Sequence, residues 1–159
     1  MRPPAHTQTA SQPTSPAPLS HAEFVEAFYT GRLFKLERWL LRVFLSKPST
    51  DLQARQLAVG ELNEFAAWRV EARAEDQLLM YAIDGRTRSW LMVSPIPTAH
   101  SAETERTRLY FGSAVVPVMN AATGKSEMGF VFKALLGFHK LYSRALLSAA
   151  AARLARAKR

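Results

Sequence analysis

The chain of 159 residues contains no cysteine, no glycine-rich phosphate loop and no long apolar run. The absence of cysteine excludes disulfides, thiolate metal sites and cysteine nucleophiles, and is compatible with a reducing cytoplasm. The four histidines, His6, His21, His100 and His139, lack the spacing of a zinc site. We therefore expect neither a metal ion nor another cofactor, and the residues alone name no ligand or reaction.

Hydrophobic targeting segments are also missing. The longest apolar window, 33–45, is interrupted by four charged side chains, whereas a membrane-spanning helix needs about 20 mostly apolar residues. Residues 1–19 contain five prolines and no apolar core of the kind found in signal peptides. We expect a cytoplasmic protein that does not span a membrane.

The composition predicts one domain preceded by an arm. Residues 1–19 are rich in Pro, Ser, Thr and Gln, a composition that buries too little apolar area to order a chain. We expect a flexible arm there. Hydrophobic residues make up 48% of the whole chain, which is enough for a single packed domain over residues 20–159.

Helical patterns occupy the first part of this domain and its end. Ser20 with Glu23, and Thr50 with Gln53, form capping boxes that predict helix starts. Gly60 is expected to end the helix that begins after Thr50. Between these helices, beyond a break at Gly31, an apolar stripe recurs at helical spacing: Leu33, Leu36, Trp39, Leu40, Val43 and Phe44. A long helix is predicted from residue 129 or 130 toward 157.

After Gly60 the hydrophobic period changes to two, which is typical of strands. The predicted strands are 68–73, 78–83, 88–93 and 107–116, and they form an antiparallel meander. Asp84-Gly85 is a hairpin signal, and Pro95 and Pro97 are expected to end the third strand. Arg69, Arg73, Arg88 and Arg108 fall on the outer face, where we expect their stems to pack on aromatic rings.

Several short blocks resemble a bacterial family, the domain of unknown function 2867. They are residues 24–44 with the central block 38–42, Trp68-Arg69-Val70, Thr107-Arg108-Leu109-Tyr110-Phe111 and Phe138-His139-Lys140-Leu141-Tyr142. That family is similar to the START and SRPBCC superfamily. The resemblance implies an α+β helix-grip fold, in which an antiparallel sheet curls around a long C-terminal helix, with N-terminal helices added. Helix-grip domains begin with a strand, for which this chain offers only Ala5–Ala10.

The resemblance also implies an apolar cavity between the sheet and the C-terminal helix. The residues expected to line it are Trp68, Val70, Leu91, Val93, Leu109, Phe111, His139 and Tyr142. We expect a non-catalytic binding domain for a small hydrophobic ligand, although periodicity cannot distinguish a hollow interior from a filled one. His139 has no catalytic partner placed beside it by sequence, so no catalytic residue is predicted.

Two alternatives stay open. The resemblance implies the first, an enzyme or an accessory domain of an oxidoreductase using the same cavity, because domains of this family look as if they can be joined to short-chain dehydrogenase-like domains. Charge suggests the second. The net charge is +8, and seven Lys and Arg but no acid follow Glu127.

A basic amphipathic C-terminal helix can bind an anionic membrane surface or a protein partner. Such a peripheral protein is expected to leave a hydrophobic stripe exposed. Nucleic acid is not an expected partner, because no aromatic residues interleave with these charges for base stacking. The oligomeric state is left open.

Overall fold

The computed structural model describes residues 8–9, 14–15, 18–46, 48–83, 85–97, 106–115, 118–119, 126–127 and 130–157. Side chains are described within these ranges except at 8–9, 14–15, 37, 40–41, 44–45, 115, 118–119, 126–127 and 130–140. The helices are α1 (His21–Tyr29), α2 (Arg32–Leu45), α3 (Asp51–Val59) and α4 (Phe130–Ala157). The strands are β1 (Gln8–Thr9), β2 (Thr14–Ser15), β3 (Glu64–Phe65), β4 (Trp68–Ala74), β5 (Gln77–Ala82), β6 (Thr87–Ile96), β7 (Arg106–Val115), β8 (Val118–Met119) and β9 (Ser126–Glu127).

The main sheet is antiparallel and follows the order β1-β7-β6-β5-β4-β3, with β2 also paired to β7. The central pair, β6 with β7, keeps one register from Thr87 opposite Val115 to Ile96 opposite Arg106. β8 and β9 pair separately. The predicted four-strand meander is confirmed as β4 to β7, and the architecture is α+β with N-terminal helices and a C-terminal helix.

The N-terminal segment contributes to the edge of the sheet. β1 pairs with β7 at Ser113 and Gly112, and β2 pairs with β7 at Arg108 and Thr107. Leu19 is buried, and its N–H donates to the Thr107 hydroxyl at 3.1 Å. These described positions are held against β7, and the flexible arm stays a prediction for the rest of residues 1–19, which lie outside the described residues.

Both predicted capping boxes are present. The Ser20 and Thr50 hydroxyls accept from the backbone N–H groups of Glu23 and Gln53, whose side chains accept in return from the cap backbones. Gly60 ends α3 in the left-handed region, with φ of 89°. A side chain at this position would be strained, which explains why glycine ends the helix there.

The third strand does not end at Pro95 as predicted, but it does end directly before Pro97, the second proline expected to end it. β6 continues to Ile96, and Pro95 lies opposite Thr107 of β7. The pairing of β5 with β6 ends at Met92, so beyond that point β6 has only β7 as a ladder neighbour. Proline lacks a backbone N–H and is tolerated where one side of a strand is not paired. Because β6 pairs only with β7 at this point, the strand can continue beyond Pro95. The Asp84 half of the predicted hairpin signal lies outside the described residues.

Helix α1 packs its aromatic residues against the inner face of the sheet. The Phe28 ring lies 4.8 Å from the Phe111 ring of β7. Tyr29 lies 5.2 Å from the Phe65 ring, and its hydroxyl contacts the Met80 sulfur of β5 at 3.0 Å. Helix α4 joins the same core through Leu146, Leu147, Ala150 and Leu154. Both helices therefore cover the sheet, whereas the sequence assigned this role to the C-terminal helix.

Candidate functional site

Seven of the eight predicted ligand-lining residues come together in the core. Leu91 lies opposite Phe111, and Val93 lies opposite Leu109, on the inner face of the sheet. These four side chains are buried, while Trp68, Val70 and Tyr142 are partly buried and pack against the same cluster. The side chain of His139 lies outside the described residues.

The inner face that these residues share is in contact with α1. Phe28 packs on Phe111, and one core cluster of buried hydrophobic residues includes members of the sheet, α1 and α4. The described contacts on this face are therefore those of a packed core. The ligand pocket between the sheet and α4 stays a prediction.

His21 is a buried histidine that the sequence analysis did not single out. Its side chain is buried, and no hydrogen-bond partner of Nε2 is found in the described residues. Burial lowers the pKa of the imidazole, against a smaller opposing effect from a hydrogen bond with the Leu91 backbone. The signal was available, because His21, Phe24, Val25 and Phe28 share one face at helical spacing.

Two of the four arginines expected on the outer sheet face, Arg69 and Arg88, form ion pairs with neighbouring side chains. Arg88 pairs with Glu71 at 2.9 Å and lies over the Tyr81 ring at 6.0 Å. Arg69 pairs with Glu64 at 3.1 Å. The Arg88 contact matches the expectation that arginine stems pack on rings there.

The expectation that Arg73 lies on the outer face is wrong, because the register shifts between Val70 and Ala72 and places Arg73 opposite the buried Leu78. Residues directly opposite each other share a face of the sheet, so Arg73 is on the inner side, where it donates to the Leu62 carbonyl at 3.4 Å.

A second arginine network joins α2 to α3. Arg38 donates to the Asp51 carboxylate at 2.5 Å and to the hydroxyl and carbonyl of Ser49. Its guanidinium also lies 5.7 Å from the centre of the Phe65 ring. Lys35 donates to the other Asp51 oxygen at 2.6 Å. Asp51 therefore neutralises cations from α2 that face α3.

A cleft of about 450 Å³ lies between the turn that joins α1 to α2 and the C-terminal part of α4. We call it the arginine cleft, and its lining residues are Gly31, Arg32, Ala149, Ala152, Arg153 and Arg156. The four α4 residues are spaced at i, i+3, i+4 and i+7, which places them on one helix face. The lining combines three guanidinium groups with a surface of glycine and alanine.

Among the described residues, one of these three arginines has a hydrogen-bond partner and the other two have none. Arg153 donates from Nη1 to the Thr30 carbonyl at 2.8 Å, which is the cap carbonyl of α1. For Arg32 and Arg156, no ion pair or hydrogen bond is found with any described residue. The volume of the cleft lies in the range of small-molecule sites. The arrangement is suited to binding an anion with a small apolar part.

Helix α2 also presents an apolar stripe to solvent. Leu36, Trp39 and Val43 are 55%, 57% and 54% exposed, and their spacing places them on one face. We call these three residues the α2 stripe. Arg32 precedes Leu36 by one turn on the same face, so the stripe begins at the arginine cleft.

The opposite side of α2 contributes to the interior. Phe34 is buried and packs on the Phe65 ring with the centroids 6.3 Å apart. The sequence pattern predicted a broad apolar stripe that includes Leu33, Leu36, Trp39 and Val43, but the fold buries only part of it. The exposed part is the site that sequence reasoning missed.

Two further observations concern membrane-spanning helices and metal ligands. None of the helices among the described residues combines the length and the hydropathy needed to cross a bilayer. In the part of the chain that the structure describes, no three His, Asp or Glu side chains are grouped as metal ligands would be.

No family model, no curated protein and no solved structure matches this chain. The resemblance to the domain of unknown function 2867 family stays a prediction.

Proposed function

We propose that the protein binds peripherally to anionic lipid surfaces through helix α2. The observation that carries this proposal is the α2 stripe, an exposed apolar face that starts at a cluster of arginines. An interfacial helix lies in the plane of the membrane, with its apolar side chains inserted and its cations near the headgroups. Tryptophan favours this interface because its ring is apolar and its N–H is polar.

Charge complementarity favours a lipid over a neutral apolar partner. Arg32 begins the stripe, Arg42 is exposed on the same helix, and Arg153 and Arg156 of α4 line the adjoining cleft. Each Lys or Arg close to an anionic bilayer contributes about 1 kcal/mol to binding. The peripheral alternative from the sequence is kept in this proposal, with α2 supplying the apolar contact and α4 part of the charge.

We also propose that the α+β architecture is a helix-grip fold. It is supported by the pairing of Gln8–Thr9 with β7, which supplies the N-terminal strand that such domains begin with. Binding of a small hydrophobic ligand between the sheet and α4 stays a prediction, as does the enzymatic alternative. No described contact favours either of them over the peripheral function.

Vesicle sedimentation tests the proposal with a matched pair of double variants. Leu36→Ser with Val43→Ser removes two members of the α2 stripe. The control, Leu52→Ser with Val59→Ser, makes the same substitutions on α3, where both residues are 63–64% exposed. Trp39 stays in both variants, so a blue shift of tryptophan emission reports its insertion.

The wild-type protein and the α3 control should sediment with phosphatidylcholine vesicles containing anionic lipid. The α2 variant should lose about 2 kcal/mol of binding, or roughly thirtyfold, because two half-exposed side chains no longer insert. Vesicles of phosphatidylcholine alone should bind less, and added salt should weaken binding. Equal binding by the two double variants would contradict the proposal.

A further inference from the structure

The lining of the arginine cleft indicates which kind of anion it binds, beyond a general attraction for negatively charged groups. Three guanidinium groups line it, and its lining contains no acidic residue. Arginine matches phosphate oxygens with two parallel N–H donors, which makes it the preferred side chain for recognising phosphate. We propose that the cleft binds a phosphate monoester.

The charge of the cleft favours a monoester over other anions. A phosphate monoester carries about −1.5 to −2 charges near pH 7, whereas a carboxylate or a phosphodiester carries about −1. Three arginines are best matched by the more highly charged group. The glycine and alanine residues of the lining leave room for a short apolar part beside the phosphate.

The three arginines have different roles in this site. Arg153 is held by the Thr30 carbonyl at 2.8 Å, so its position is set before a ligand binds. Arg32 and Arg156 approach from α2 and α4, and neither has a partner among the described residues that would compete with a phosphate. They supply the binding charge, while Arg153 sets the position of the phosphate.

Phosphatidic acid and a soluble phosphate ester share this chemistry. The lipid source rests on the proposed peripheral function, since Arg32 begins the α2 stripe and a lipid in the cleft would lie next to inserted side chains. The soluble source does not rest on it. The two sources need separate measurements.

The first measurement compares vesicles containing phosphatidic acid with vesicles containing phosphatidylserine at matched surface charge. The protein of residues 1–159 should prefer phosphatidic acid. Arg32→Gln and Arg156→Gln should each reduce binding to phosphatidic acid about fivefold. The control is Arg144→Gln, which changes an exposed arginine of α4 that does not line the cleft and which should keep the preference.

The second measurement titrates the protein with glycerol 3-phosphate in the absence of lipid, followed by calorimetry. Binding that is lost in Arg32→Gln and kept in Arg144→Gln supports the site, even if no vesicle binds. If glycerol 3-phosphate binds in this way and no vesicle binds, the peripheral function is contradicted and the phosphate site is not. If anionic vesicles bind without preference for phosphatidic acid and glycerol 3-phosphate does not bind, the peripheral function stands and the phosphate site is overturned. Equal losses in Arg32→Gln and Arg144→Gln would also overturn it.

Discussion

Two arginines on helix α2, six residues apart, have opposite surroundings. The Arg38 side chain is only 11% exposed, and it donates to Asp51 and Ser49. Arg32 is exposed at the arginine cleft and has no partner among the described residues. The same residue type on the same helix is therefore part of the interior in one case and available to a ligand in the other.

The distribution of acidic residues along the chain explains this difference. Arg38 faces α3, whose first residue is Asp51. Arg32 faces α4, and no acid occurs in the sequence after Glu127. A cation that faces this helix cannot be neutralised by it, so its charge is available to a partner from outside.

The largest expected effect is a difference in the free energy of unfolding between variants of Arg38 and of Arg32. Arg38→Gln should lower the free energy of unfolding by about 2 kcal/mol, because hydrogen bonds to a charged partner and the contact over the Phe65 ring are lost. Arg32→Gln should change it by less than about 0.5 kcal/mol. Urea denaturation at pH 7 measures both. Similar losses in the two variants would mean that Arg32 has a structural role.

Low pH should weaken the ion pairs that Arg38 and Lys35 form with Asp51. Burial acts to raise the pKa of the Asp51 carboxyl, but hydrogen bonds from Lys35 and Arg38 outweigh it and hold the pKa below its usual 3.8. A lowered folded-state pKa adds stability above the unfolded value, and this stability is lost as the pH falls through the folded value.

Asp51→Asn should therefore cost about 1 kcal/mol at pH 7, since the pair is partly exposed. Its cost relative to wild type should shrink as the pH falls below about 4. Denaturation curves of both proteins between pH 7 and pH 3 provide the measurement. A constant difference across this range would show that the ion pair does not contribute.

The comparison extends to His21, a buried side chain whose Nε2 has no hydrogen-bond partner among the residues that the structure describes. Burial lowers its pKa below 6.5, so the unfolded chain binds a proton more readily than the folded one. Stability should be complete above pH 6.5 and should fall as the pH drops from there toward the folded value.

At pH 7, protonation of His21 should have almost no effect on the free energy of unfolding. This is the smallest of the three expected effects at that pH. His21→Leu should remove the loss of stability between pH 6.5 and pH 5, measured relative to its own value at pH 7. The imidazole protons of the wild-type protein should titrate below pH 6.5 by NMR. A titration midpoint above 6.5 would contradict the prediction.

Much of the local structure could be predicted because neighbouring residues decide it. The two capping boxes and Gly60 act within one helical turn, and all three lie where the sequence places them. The alternation along β6 and β7 predicted that Leu91, Val93, Leu109 and Phe111 share an inner face. The register of the two strands confirms this.

The site could not be predicted in the same way. The apolar stripe of α2 has the spacing of a buried helix face, and nothing in the pattern shows that Leu36, Trp39 and Val43 stay exposed. The cover of the sheet was also missed, because the sequence does not show that Phe28 of α1 lies on Phe111. The arginine cleft unites residues more than 100 positions apart, which no local pattern connects.

The sequence by itself determined the helices, the meander and the absence of acid near the C-terminal end. Those features depend on neighbouring residues and on composition. Only the tertiary structure decided which face of α2 is buried and which arginines find acceptors. The physical reason is that burial and ion pairing depend on which surfaces meet, and that is set by the packing of α1, α2 and α4 together.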